Sequence, residues 1–180
     1  MINIGLVYDS LIKQRSGIKS LINYFEENGS VITISKISLD KDGENWLISS
    51  DSDLENFFSL QYYYGEISMS LKVFSTLNDI SLNINIYNEQ DFYGVLLKFN
   101  ETEFEQKDLD IDETETILIN FIKAMAEKLN FKYSFCDYDG EIDFHPDDQK
   151  NIEKEYSIVY WPNKNKLIKN NWKIDGVSSR

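Results

Sequence analysis

The sequence predicts an α+β fold, in which a mainly antiparallel sheet of about six or more strands carries two principal helices packed on it. Apolar residues alternate with polar ones in 67–73 and again in 80–86, which is the pattern of strands with one buried face. They recur instead at helical spacing in 18–25 and in 118–129. No linker or internal repeat divides the chain, so residues 1–180 are expected to form a single domain.

Several further segments have the composition and period of strands, and short polar turns between them favour antiparallel pairing. In chain order, strands are expected at 1–8, 31–39, 46–48, 67–73, 80–86, 92–99, 132–138 and 156–161. The turn at 40–43 makes the second and third of these a hairpin, and a polar turn at 88–91 continues a three-stranded meander. Pro162 ends the late strand at 156–161.

Two helices complete the predicted fold. The first is expected to begin after Ser16 and to end near Glu27, because Asn28-Gly29 offers a left-handed stop. The second is expected over 114–129, with Asp112 as the N-cap and Glu115 closing a capping box.

Charge limits the classes of partner. The chain has 31 Asp and Glu against 18 Lys and Arg, a formal net charge of −13. Such a surface repels nucleic acid and attracts basic proteins, although acidity that serves solubility alone is an equal alternative. Cys136 is the only cysteine, so no intrachain disulfide can form, and no apolar run approaches the ~20 residues that span a bilayer. We therefore expect a cytoplasmic protein with no nucleic acid and no membrane as partner.

Catalytic and metal-binding patterns are missing from the sequence. Cys136 and His145 are single residues of their types, nine positions apart, which is too few ligands for a conventional zinc site and a weak basis for a catalytic dyad. In 137–143 the glycine, Gly140, is fourth and not sixth as in an EF-hand loop, so a polar hairpin with Asp139-Gly140 at its tip is the preferred interpretation. No catalytic residue, metal ligand or cofactor is predicted. An enzyme that uses a carboxylate pair, with or without a divalent ion, remains the alternative.

Two features favour binding. Acidic residues cluster in 101–115 and again in 137–148, and aromatic residues exceed what alternation can bury. The residues predicted to contact a partner are Asp137, Asp139, Glu141, Asp143, Asp147, Asp148, Tyr93 and Trp161. The lysines of 164–173 are expected to pack back onto the acidic body.

The segment 124–143, Ala-Met-Ala-Glu-Lys-Leu-Asn-Phe-Lys-Tyr-Ser-Phe-Cys-Asp-Tyr-Asp-Gly-Glu-Ile-Asp, resembles small immunity proteins of bacterial polymorphic-toxin systems. In those proteins a helix leads into a strand that ends in Cys-Asp and is followed by an acidic hairpin. The resemblance implies a cytoplasmic protein without enzymatic activity that binds a cognate toxin domain and blocks its active site or substrate groove. It places Asp137, Asp139, Glu141 and Asp143 at the contact, and many such toxins are nucleases with basic grooves. A generic adaptor or structural subunit is the remaining alternative.

Overall fold

A nine-stranded antiparallel sheet organises the chain in the computed structural model, which describes residues 1–49, 62–72, 74, 79–88 and 93–180. The strands are β1 Ile2–Tyr8, β2 Val31–Ser38, β3 Trp46–Ser49, β4 Tyr64–Leu71, β5 Ile80–Asn88, β6 Tyr93–Phe99, β7 Tyr133–Tyr138, β8 Ile158–Trp161 and β9 Lys166–Lys169. Their order across the sheet is β3-β2-β4-β5-β6-β1-β7-β8-β9, and every neighbouring pair is antiparallel. The predicted α+β fold class is confirmed, as are the hairpin β2–β3 and the meander β4–β5–β6. The predicted positions 73, 89–91 and 92 lie outside the described residues.

The described part of the chain contains four α-helices, namely α1 Leu11–Glu27, α2 Glu101–Glu105, α3 Ile111–Ala126 and α4 Gln149–Glu155. α1 begins earlier than predicted, because the Ser10 side chain accepts a hydrogen bond from the Lys13 N–H and caps it. Gly17 therefore lies inside the helix, where a Cβ atom would come within 2.5 Å of the Tyr8 hydroxyl. The end at Glu27 is as predicted, followed by Gly29 with a φ of 83°.

The start of α3 corrects a second prediction. The N-cap is Asp110, not Asp112, and Glu113, not Glu115, closes the capping box. The reason is that Asp110 holds extended backbone (ψ 171°) and its carboxylate accepts from Glu113 N–H at 2.8 Å, so the helix begins at Ile111. One turn further along, Glu115 is then directed into the protein and is 1% exposed.

The main hydrophobic core lies between the sheet and the two long helices. Alternate residues of the strands supply one side of it, and the buried stripes of α1 and α3 supply the other. Phe25 of α1 and Phe121 of α3 stack with ring centroids 6.1 Å apart, which joins the two helices over the sheet. We call this the helix face of the sheet and the opposite one the back face.

The back face is covered over only part of its width. Val7, Leu96, Tyr133, Phe135 and Val159 form a second core there, closed by Ile152 of α4 and by Tyr156. On β4 and β5 the same face is polar, with Glu66, Ser68, Ser70, Ser81, Asn83 and Asn85 alternating with core residues. The cover of the second core comes from the chain between β7 and β8, which is also the second acidic segment.

Candidate binding surface

The second acidic segment is not the hairpin that the sequence predicts. After β7 the chain turns at Asp139, which has a φ of 48°, and residues 140–147 then run across the back face without joining the sheet. Every second residue faces the protein, so Ile142 and Phe144 pack on the second core and Pro146 is buried. The intervening residues face solvent. The segment therefore has the alternation of a strand, with the sheet itself as its buried side.

Hydrogen bonds from the back face hold this segment by its backbone. The Tyr156 hydroxyl donates to the carbonyl of Glu141 at 2.8 Å and accepts from the N–H of Asp143 at 3.4 Å. The Tyr133 hydroxyl donates to the carbonyl of Phe144 at 2.8 Å, and the Asn3 amide donates to the carbonyl of Gly140 at 3.0 Å. Burial raises the pKa of both tyrosines, so the hydroxyls remain protonated donors at any physiological pH.

Close packing fixes the height of the segment above the sheet. Ile142 lies against Gly94 of β6 so closely that a Cβ atom at position 94 would overlap its side chain. Phe144 meets the ring of Tyr156 edge-on at 5.9 Å. That ring in turn stacks on Phe135, with centroids 3.8 Å apart and planes 6° apart. The acidic segment is thus seated on a rigid aromatic layer.

The outward positions carry a line of carboxylates, Asp139, Glu141, Asp143 and Asp147, which we call the acidic row. The side chains of Asp139, Glu141 and Asp147 are 64%, 53% and 94% exposed, and Asp143 is exposed as well. Nearby positive groups are few. The Met1 amino group lies 3.2 Å from Asp139, and Lys98 lies 3.8 Å from Glu141.

The other four predicted contact residues lie outside the acidic row. Asp137 is half-buried on β7, where it accepts from the N–H groups of Ser157 and Tyr138, and burial raises the pKa of its carboxyl. Asp148 precedes α4 and accepts from the Asn151 amide, while Tyr93 is partly buried against the main core. Trp161 is only 6% exposed, and its ring lies 5.4 Å from that of Tyr133. As partner contacts these four stay predictions.

The two acidic segments of the sequence meet in space. The Met1 amino group lies 2.9 Å from Glu101 of α2 and 3.2 Å from Asp139. The Tyr138 hydroxyl donates to the same Glu101 carboxylate at 3.4 Å. The hydrogen bond with the amino group holds the pKa of Glu101 below its usual range, so this carboxylate stays ionised.

A pocket of about 460 Å³ opens beside this junction. Its apolar lining comes from the start of β1, from α2 and the start of α3, and from the chain near residue 177. The apolar side chains are those of Ile2, Phe104, Leu109, Ile111, Tyr138 and Val177. The charged residues of the lining are Glu101, Glu105 and Asp175, and the lining contains no lysine or arginine. We call this the acid-rimmed pocket; the sequence gives no sign of it, because its walls come from five separate parts of the chain.

The residues considered for chemistry are placed apart. Cys136 is fully buried on the helix face of β7, where burial raises the pKa of its thiol well above the usual value and keeps it protonated. His145 is on the outer side of the acidic segment, 3.6 Å from Asp147. Within the described ranges, no three His, Cys, Asp or Glu side chains are grouped as a metal site would require. No helix in those ranges combines the length and apolar character needed to span a membrane.

The basic tail packs back onto the acidic body, as expected. Its lysines pair at Lys164–Gln149 (2.5 Å), Lys166–Glu153 (2.9 Å), Lys169–Glu115 (3.3 Å) and Lys173–Asp112 (2.7 Å). Arg180 lies 2.5 Å from the buried Glu115 and also donates to the carbonyl of Trp172. Among the described residues, the ion pairs of the tail therefore involve acids of α3 and α4 and none of the acidic row.

The fold and this surface define a class of protein, an α+β domain with an exposed acidic surface. Comparison with protein-family models identifies the family. The model described as Immunity protein 64 matches residues 2–180, and the chain belongs to this family. The resemblance seen in 124–143 is thereby confirmed for an immunity protein of a toxin system. No curated protein and no solved structure matches the chain.

Proposed function

We propose that this immunity protein binds one cognate toxin domain in the cytoplasm and neutralises it by covering its active site or substrate groove. It acts as a stoichiometric inhibitor and not as an enzyme, and the toxin is a nuclease with a basic groove. The observation that carries the proposal is the acidic row, because four exposed carboxylates project outward from one segment whose backbone and inward side chains are held on the back face. The predicted contacts Asp139, Glu141, Asp143 and Asp147 all belong to it.

The arrangement of charge suits a groove that binds nucleic acid. In an extended chain, outward residues two positions apart, such as Glu141 and Asp143, are roughly 6.6 Å apart. A series of negative charges is what a nucleic acid strand presents through its phosphates, and a groove lined with Lys and Arg attracts both such a strand and the acidic row. The net charge of −13 adds long-range attraction, which accelerates association at low salt. The same charge disfavours binding of this chain to nucleic acid itself.

The experiment compares two sets of substitutions that change net charge equally. The row variant carries Asp139→Asn, Glu141→Gln, Asp143→Asn and Asp147→Asn. The control variant neutralises four exposed acids at the end of α1 and in the β2–β3 turn, namely Glu26→Gln, Glu27→Gln, Asp42→Asn and Glu44→Gln. Both have a formal net charge four units less negative than the wild type, so they differ in the position of the lost charge.

Each variant is expressed with the toxin encoded by the neighbouring reading frame, and growth, affinity and toxin activity are measured. We expect the wild type and the control to rescue growth, and the row variant to bind about tenfold more weakly or worse, with a smaller salt dependence. The wild type should inhibit cleavage competitively with nucleic acid. A complex that forms but leaves cleavage intact would refute active-site blocking, and a row variant that binds like the control would remove the acidic row from the interface.

A further inference from the structure

The acid-rimmed pocket has the features of a docking site that is open in the free protein. Val177 is 88% exposed and Tyr138 is 42% exposed, although both are large apolar residues at the pocket wall. Single exposed apolar residues are ordinary, but here two line one concavity together with Leu109 and Ile111, which are half-buried. A pocket of this kind is where an interface receives an anchoring side chain.

The lining determines the chemistry of that side chain. Its polar wall contains Thr114 and three carboxylates, those of Glu101, Glu105 and Asp175, and in the described part of the chain the Met1 amino group on Glu101 is the positive group that contacts these carboxylates. An acidic side chain would be repelled, and a purely apolar one would bring no positive charge to the acidic rim. Lysine and arginine have an apolar stem for the floor and a cationic head for the rim.

The rim is held in place before any partner arrives. Asp175 accepts hydrogen bonds from the N–H groups of Val177 and Ser178 at 3.0 and 2.8 Å, and Gly176 between them has a φ of 71°. The hydrogen bonds from Val177 and Ser178 outweigh the effect of partial burial and hold the pKa of Asp175 below its usual value. The floor is fixed by Phe104, which packs edge-on against Phe99 of the main core. A prepared pocket reduces the ordering cost of binding.

We propose that the acid-rimmed pocket receives a lysine or arginine side chain of the cognate toxin domain and is the anchoring point of the complex. This inference rests on the proposed function, which it deepens. Because Asp139 and Glu101 contact the same Met1 amino group, the pocket is continuous with one end of the acidic row. The partner therefore places one basic residue in the pocket and further basic residues along the row.

Two pairs of matched variants test the pocket. Val177→Lys puts a cation at its mouth, and its control is Ile12→Lys, since Ile12 is 82% exposed and lies beyond the opposite end of β1. Glu105→Gln removes one rim charge, and its control is Glu44→Gln in the β2–β3 turn. All four positions are exposed, so the fold should tolerate each change. Within a pair the net charge changes equally, so long-range attraction is affected alike.

The dissociation constant of the toxin complex is measured for each variant. We expect roughly tenfold weakening for each pocket variant and less than about twofold for each control. Single Lys→Met and Arg→Met variants of the toxin are then combined with Glu105→Gln. One of them should make the second substitution almost without effect, which identifies the residue in the pocket.

The outcomes separate this inference from the proposed function. If the wild type binds the toxin and both pocket variants bind as tightly as their controls, the pocket is not the anchoring point of the complex. The proposed function is then unaffected. Pocket variants that weaken binding without any coupled toxin lysine or arginine also overturn the basic occupant. A wild-type protein that does not bind the toxin overturns both.

Discussion

Removal of the Tyr156 hydroxyl should loosen the acidic row without disturbing the core beneath it. In Tyr156→Phe the ring remains, so its stack on Phe135 at 3.8 Å is preserved. The carbonyl of Glu141 loses the donor that lies 2.8 Å away, and the N–H of Asp143 loses its acceptor at 3.4 Å. The change therefore acts on the backbone of the row and not on its charges.

The magnitude follows from these two distances. A hydrogen bond of ordinary length contributes about 0.5–1.5 kcal/mol net, and a carbonyl left unpaired in a partly buried site adds to the loss. The contact at 3.4 Å is long for an N–H···O bond and contributes little. We expect a total of about 1–2 kcal/mol, which raises the open population of the segment roughly 5- to 30-fold.

Amide hydrogen exchange followed by NMR measures this opening directly. The amide of Asp143 should exchange roughly tenfold faster in Tyr156→Phe, and the midpoint of urea unfolding should fall with an unchanged slope. The control is Tyr160→Phe, which removes a hydrogen bond of 3.1 Å to Asn165 at the other end of β8. It should lower stability by a similar amount and leave the exchange of Asp143 unchanged. Equal exchange in wild type and Tyr156→Phe would show that this hydroxyl does not hold the row.

Three other predictions concern the scaffold. Arg180→Met leaves the Glu115 carboxylate, which is 1% exposed, without its closest cation. We expect the free energy of unfolding, measured in urea, to fall by about 2–4 kcal/mol. A loss below ~0.5 kcal/mol would contradict the role of this ion pair. Gly5→Ala forces a Cβ atom into the ring of Phe135, which should lower the free energy of unfolding in urea by about 2–3 kcal/mol. An unchanged midpoint of urea unfolding would show that the ring can move aside. Although partial burial of Asp9 acts in the opposite direction, hydrogen bonds from two lysines lower the pKa of its carboxyl. The stabilisation by ionised Asp9 is present above the unfolded-state pKa of about 4 and is lost as the pH falls through the lowered pKa of the folded state. The free energies of unfolding of wild type and Asp9→Asn should therefore differ by about 0.5 kcal/mol at pH 7, and this difference should vanish in acid.

Local periodicity predicts most of the fold, because a strand or helix with one buried side has apolar residues at a regular spacing along the sequence. The errors occur where a tertiary contact decides the local structure. The sequence predicts that the first helix begins after Ser16, yet Gly17 lies in the interior of α1, where its missing Cβ makes room for Tyr8. The sequence predicts Asp112 as the N-cap of α3, whereas the structure places the extended backbone and the capping side chain at Asp110. The sequence therefore predicts which elements exist better than where they start.

The candidate surface was only partly predictable. Four of the eight predicted contact residues form the acidic row, and the alternation in 139–147 was available in the sequence as a sign that they share one side. The sequence does not show which residues the inward side chains pack against. These residues include Gly94 and Tyr156, which are separated from each other by 62 positions in the chain. The acid-rimmed pocket is still harder to predict from the sequence, because residues as far apart in the chain as Ile2 and Val177 line it.

The alternation of this segment also separates stability from recognition. Its inward residues and its backbone make the contacts that fix it, through Ile142, Phe144 and the tyrosine hydroxyls. Its outward carboxylates make few contacts within the protein, and exposed ion pairs such as Glu141–Lys98 contribute less than about 1 kcal/mol. Substitution of an outward residue should therefore change the charge pattern offered to a partner at little cost in folding free energy. Under the proposed function, a scaffold with this property can be fitted to a different toxin by changing the outward residues alone, because the geometry of the row is set by the residues between them.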